Sequence, residues 1–134
     1  MQIFCSTEFT KSLKTLTKPK YSTTYGTLKS EISEFFKQHD TFEKVFNKSY
    51  MLRENQSVRI NKVRLDNRCQ NSGGSGGFRL IILCDKRTSN VALLYVYPKT
   101  GPHGKSDSDT DFLIKIAKRY AEDKKLNRLT EYTI

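Results

Sequence analysis

The segment Val58–Asp85 gathers the residues of this chain best suited to chemistry on an anion. Arg59, Lys62 and Arg64 stud one strand-like stretch, a glycine-rich run follows at Asn71–Gly77, and a second, apolar stretch opens with Arg79. Like charges facing each other across a β-ladder are unfavourable by roughly 0.2–1 kcal/mol per pair. Paired cationic strands therefore need an offset, and a polyphosphate ligand supplies one. Arginine suits that role because its planar fork matches two phosphate oxygens and it stays charged. The glycine run could cradle phosphate, but no Gly-Lys-Ser/Thr closes it and no helix follows, so it reads as a hairpin turn.

The elements that must position these residues follow from periodicity. Gln2–Cys5 reads as a first strand, and Ser6 or Thr7 can cap a helix with Phe9, Leu13 and Leu16 on its apolar stripe. Pro19 ends that run, and Thr23 or Thr24 can cap a second helix bearing Leu28, Ile32, Phe35 and Phe36. Asp40–Glu43 has capping-box spacing ahead of Val45 and Phe46, and His39 places a favourable charge at a helix end. Asn47–Ser57 reads as polar loop. In Val58–Leu65 the apolar alternation changes phase, which predicts a bulge near Asn61. Phe78–Cys84 is almost wholly apolar and reads as a central strand covered on both sides. Val91–Tyr97 is a further strand stopped by Pro98; Tyr95 and Tyr97 share parity with Val91 and Leu93, so Tyr95 reads as packing. Asp107 or Asp109 can cap a last helix carrying Leu113, Ile116, Ala117 and Tyr120, and Asn127–Ile134 is a short strand or a loose tail. The order β-α-α-β-β-β-α predicts an α+β fold: an N-terminal strand and helical pair packed on a small antiparallel sheet, with a C-terminal helix.

The chain's 134 residues suit one domain, 1–134. Its 36% hydrophobic content lies below the roughly 45–50% of an average globular protein. Periodic apolar blocks nonetheless argue against general disorder. With 24 Lys+Arg against 14 Asp+Glu the net charge is +10, which favours a polyanionic partner, most simply nucleic acid. Cys5, Cys69 and Cys84 are an odd set without metal-ligand spacing, and Cys5 and Cys84 lie in apolar runs as small buried hydrophobes. The alternately spaced carboxylates Asp107, Asp109 and Asp111 are explained by helix capping, so no metal site is expected. MQIFCSTEF has neither a charged n-region nor a long apolar h-region, and no apolar run approaches the ~18 residues of a membrane span. A cytoplasmic protein without membrane partner is expected.

Residues Val58–Lys99 resemble the core of RelE-type toxins of the RelE/ParE toxin–antitoxin superfamily. The resemblance rests on Lys62, Val63, Arg64 and Leu65, on Ser75–Ile81 (SGGFRLI), and on Val91–Lys99 ending in Tyr97, Pro98 and Lys99. With the strand and two helices before them, it covers about Gln2 to Tyr120. The chain departs from the pattern in a longer glycine turn and in Lys99 being followed by Thr100–His103 where many relatives carry Arg.

The resemblance implies a ribosome-dependent messenger-RNA endonuclease, restrained by a cognate antitoxin protein and needing no small-molecule cofactor. Cleavage by the 2′-hydroxyl requires a base for that hydroxyl, charge stabilisation on the phosphorane, and an acid for the leaving 5′-oxygen. Arg64 and Arg79 are candidates for the charge, Lys62 for the base, and Tyr97, Lys99 or His103 for the acid. Arg59, Arg68, His103 and Lys105 are candidate RNA and ribosome contacts. Two other functions fit the same residues: a ParE-like inhibitor of DNA gyrase, and a non-catalytic RNA-binding module. In simpler terms, Lys62 and Arg64 could line a solvated strand face, and Arg79 could pair with Asp85, Asp66 or a backbone carbonyl.

Overall fold

The computed structural model describes residues 1–70, 73, 76–100, 104 and 110–134. In chain order it has β1 (Ile3–Cys5), α1 (Thr7–Leu16), α2 (Ser22–Tyr25), α3 (Leu28–Gln38), α4 (Phe42–Val45), β2 (Met51–Glu54), β3 (Val58–Leu65), β4 (Phe78–Asp85), β5 (Asn90–Pro98), α5 (Thr110–Lys125) and β6 (Thr130–Glu131). The fold is α+β, with the strands in the order β2-β3-β4-β5-β1-β6. Every neighbouring pair is antiparallel except β1 and β5, which run parallel with Ile3 opposite Val91.

All eight residues of β4 are buried because both faces of the sheet are covered. Phe78, Leu80, Ile82 and Cys84 join Phe9, Leu16, Leu28, Ile32 and Phe36 beneath the N-terminal helices. Ile81 and Leu83 join Ile60, Leu94, Leu113 and Ile116 beneath α5. Burial pushes the Cys5 thiol up to about 11 and the Cys84 thiol up to about 12, as expected of small buried hydrophobes.

Local chemistry sets the helix positions. Ser6 caps α1 by accepting the Phe9 N–H at 3.2 Å; Phe9 and Leu16 are buried as the spacing predicts, with Ser12 buried beside them and Leu13 only partly buried at the edge of the core. Asp123, buried on α5, accepts the Thr7 N–H at 2.8 Å and meets Arg128 Nε at 3.2 Å, so it ties the C-terminal helix to the start of α1. Gly77 is required by close approach: a Cβ there would collide with the Leu65 carbonyl oxygen where the chain enters β4.

Several expectations are corrected. Asn47–Ser57 contains an edge strand, β2, paired with Arg59–Asn61. The pairing of β3 with β4 is continuous from Val58–Asp85 to Leu65–Phe78, and the irregularity near Asn61 lies in the other pairing, where the register of edge strand β2 shifts between Met51 and Arg53 opposite Asn61 and Ile60. The phase change instead reflects two covered faces: Ile60 points to α5, whereas Val63 and Leu65 point to the helical layer. Asn61 occupies a core position on that second face and is fully buried, its amide donating to the Val45 carbonyl at 2.8 Å.

A further irregularity occurs between β4 and β5, where Ile81 faces Tyr95 but Ile82 faces Leu93. It moves Tyr95 and Tyr97 to the α5 face, away from Val91 and Leu93. The second long helix begins at Leu28, after the separate turn α2, with no side-chain cap from Thr23 or Thr24. Thr41, not Asp40, caps α4 by accepting the Lys44 N–H at 3.3 Å. The tail supplies β6, which pairs with β1. The expected caps Asp107 and Asp109 lie outside the described residues.

Candidate functional site

Strand alternation divides the cations of β3 between the two faces of the sheet. Lys62 and Arg64 fall on the α5 face together with Ile60, and Arg59 falls on the opposite face with Asn61, Val63 and Leu65. Register then carries the first set across the sheet. Arg64 is opposite Arg79, and Arg79 is opposite Tyr97. Two residues further along, Lys62 is opposite Ile81, and Ile81 is opposite Tyr95. Side chains directly opposite in an antiparallel ladder stand about 4.5–5.5 Å apart at Cβ, so Arg64, Arg79 and Tyr97 form one transverse row with Lys62 on its diagonal.

Burial is graded along that row. Arg79 is 1% exposed and Tyr97 4%, whereas Lys62 is half-buried and Arg64 exposed. Arg79 donates from Nη1 to the Phe78 carbonyl at 3.2 Å, which holds its guanidinium close to the strand end. Arg64 makes no ion pair among the described residues. Lys99, half-buried, extends the ladder by donating its N–H to the Gly77 carbonyl at 2.8 Å, and so sits two residues beyond Tyr97 at the same end of the sheet.

Other candidates are placed elsewhere. Arg59 is buried on the helical face, where it pairs with Glu54 at 3.0 Å and lies 3.6 Å from the centre of the Phe46 ring. Its grouping with Lys62 and Arg64 is corrected on that geometry. Arg68, on a short turn at Arg68–Gln70, pairs with Glu31 of α3. His103 and Lys105 lie outside the described residues. Asp85, offered as an alternative partner for Arg79, sits at the other end of β4 and pairs with Lys124 at 3.3 Å. His39 stays at the end of α3, its Nδ1 within 2.9 Å of the Phe35 carbonyl and its Nε2 3.1 Å from the Tyr50 hydroxyl.

One neighbour of the row was hidden in the sequence. Phe112 of α5 meets Tyr95 edge-on at 4.8 Å, and Tyr95 lies 6.2 Å from Tyr97, so the helix start buttresses the aromatic side of the site. Burial raises the Tyr95 phenol above its ordinary value, in keeping with a packing role. The only signal for this contact was Phe112's place one residue before Leu113, on a helix whose docking site no local pattern reveals.

Two opposed guanidinium groups can hold two oxygens of one phosphate, with a phenol and an ammonium at the margins. Among the described residues no cluster of His, Cys, Asp or Glu could hold a metal ion, and no helix is long and apolar enough to cross a membrane. An apolar groove of about 430 Å³ between α5 and β2–β3, floored by Val58, Ile60 and Leu83, lies toward the opposite end of the same face. Compared with known proteins, the chain matches no family model, no curated protein and no solved structure.

Proposed function

We propose that this chain is a metal-independent endoribonuclease of the RelE type, a cytoplasmic toxin that cuts messenger RNA on the ribosome and is restrained by a cognate antitoxin. The observation that carries the reading is the transverse register Arg64–Arg79–Tyr97 with Lys62 on its diagonal. In this scheme the 2′-hydroxyl attacks the adjacent phosphorus, forming a cyclic phosphate as the bond to the 5′-oxygen breaks. Arg79 and Arg64 would neutralise the charge that builds on the non-bridging oxygens, a role that favours preorganised donors such as Arg79, whose guanidinium is held by the Phe78 carbonyl. Lys62 would take the hydroxyl proton, and Tyr97 or Lys99 would return one to the leaving oxygen.

The depth of Arg79 supports a second reading, in which the row binds RNA without cutting it. Its 1% exposure leaves Arg64 as the arginine of the row that a phosphate reaches first.

Mapping 2′,3′-cyclic phosphate ends on messages after induced expression separates the two. The wild-type chain is expected to leave such ends, and Arg79→Ala to abolish them. Arg79→Lys, which keeps charge and most of the volume but loses the fork, is expected to cut roughly 10²–10³-fold more slowly. It keeps the test valid if the alanine variant fails to fold. Undiminished cleavage by a folded Arg79 variant sinks the nuclease assignment. Absence of cyclic ends with the wild type leaves the binding module.

A further inference from the structure

Five of the ten net positive charges fall between residues 9 and 30, as Lys11, Lys14, Lys18, Lys20 and Lys29, with no Asp, Glu or Arg among them. The α1 helix sorts its part of this charge cleanly. Phe9, Ser12 and Leu16 are buried against the sheet, Lys11 and Lys14 are exposed on the opposite side, and Lys18, two residues past the end of the helix, is exposed as well. At 100° per residue the buried set and the pair Lys11 and Lys14 lie about 160° apart around the helix axis. Lys20 continues the exposed charge just past the helix, in the turn Pro19–Tyr21. Lys11, Lys14 and Lys18 make no ion pair among the described residues, in contrast to Lys44, Lys86 and Lys124, which pair with Asp40, Glu54 and Asp85.

We infer that the outer side of α1 is a second polyanion-binding surface, one that grips the phosphate backbone of a structured RNA apart from the Arg64–Arg79–Tyr97 row. The separation is topological: α1 packs on one face of the sheet and the row lies on the other. An RNA strand lying across the row cannot also lie along α1 without passing round the sheet, so the two surfaces engage different stretches of nucleic acid. From Lys11 to Lys14 the helix advances about 4.5 Å, on the order of one nucleotide rise along one strand, and Lys18 and Lys20 carry the exposed charge on past its end. A membrane surface is the poorer fit. A helix that lies in the bilayer interface needs a free apolar side, whereas that of α1 is in the core. The exposed large apolar residues, Met1, Met51, Ile114, Leu126 and Ile134, all lie outside 9–30.

The inference rests on RNA as the partner proposed above, but its test does not require cleavage. The probe is a ribosomal-RNA hairpin carrying 2′-O-methyl groups, which cannot be cut by 2′-hydroxyl attack. Its affinity is measured against salt for the wild type, for Lys11→Gln/Lys14→Gln/Lys18→Gln, and for Lys115→Gln/Lys118→Gln/Lys125→Gln. The last variant removes the same charge from exposed positions on α5. Each phosphate contact contributes roughly 0.7–0.9 to the slope of log affinity against log salt, so the α1 variant is expected to lose about 2–3 from that slope. The α5 variant is expected to lose less than about 1. Equal losses in the two variants, no loss in the α1 variant, or no hairpin binding by the wild type would overturn the inference. So would binding to phosphatidylserine vesicles that depends on these lysines more strongly than hairpin binding does. If the hairpin result holds while the wild type cuts no message, the α1 surface stands and the nuclease reading alone falls.

Discussion

The α5 face of the sheet has two ends built from the same three strands, and they are opposite in character. Toward the Val58–Asp85 end, Ile60, Leu83 and Ala92 lie under Leu113 and Ile116 of α5. Toward the Leu65–Phe78 end, the same strands present Lys62, Arg64, Arg79 and Tyr97. The change takes four residues along β3, from Ile60 to Arg64. Alternation decides which face a side chain joins, and residue type decides whether that end is apolar or cationic. α5 is held at the apolar end by Lys124 on Asp85 and by Asp123 at the start of α1. Stability and proposed chemistry are thus separated along one surface by a few residues.

That separation can be broken most forcefully at its apolar end. Ile116 of α5 is fully buried against the sheet, and Ile116→Ala is expected to lower stability by about 2–5 kcal/mol in chemical denaturation. A loss well below about 1 kcal/mol would mean that α5 does not close the apolar end. Arg64→Ala should invert the pattern: stability within about 0.5 kcal/mol of wild type, because the side chain is exposed. Message cleavage should fall by roughly 10²–10³-fold. Unchanged cleavage would confine the proposed chemistry to Arg79.

The smallest effect sharpens the contrast between Arg59 and Arg64 on the same strand. Lys86, and after it Arg59, hydrogen-bonds the Glu54 carboxylate and holds its pKa below the usual range. A depressed folded pKa adds stability that is present above the unfolded value of about 4.3 and is lost as pH falls through the folded value. The difference in melting temperature between wild type and Glu54→Gln should therefore be small at pH 7 and close as pH drops below about 4. A difference that persists at low pH would locate the contribution of Glu54 in packing.

Much of the fold was legible because its period was strong. The stripe Phe9–Leu16 and the apolar run Phe78–Cys84 each admit one reading, and both elements stand where that reading puts them. Met51–Glu54 escaped notice because an exposed edge strand of four residues shows no alternation. Arg59 was misplaced because burial on both faces of β3 hides its parity, and only the pairing with β4 restores it. The irregularity opposite Ile81 and Ile82 defeats any parity argument for Tyr95 and Tyr97. For the candidate site, the neighbouring strands of Arg64 and Arg79 were legible, but their direct opposition was not. Opposition depends on where Gly77 allows the chain to enter β4.

The parallel pairing of β1 with β5 also sets a timetable for synthesis. Gln2 and Asn90, which flank that junction and are joined by a 2.8 Å hydrogen bond, are 88 residues apart. Contacts of such long separation form late, because loop closure must precede them. As the chain leaves the ribosome, α1 and α3 emerge with their apolar stripes uncovered and wait for β4 and β5. β1 has no neighbour to run beside until Val91–Leu93 follows. The nascent N-terminal third is therefore the period of greatest exposure to aggregation and to chaperones, and a stall before residue 90 would leave it without its sheet.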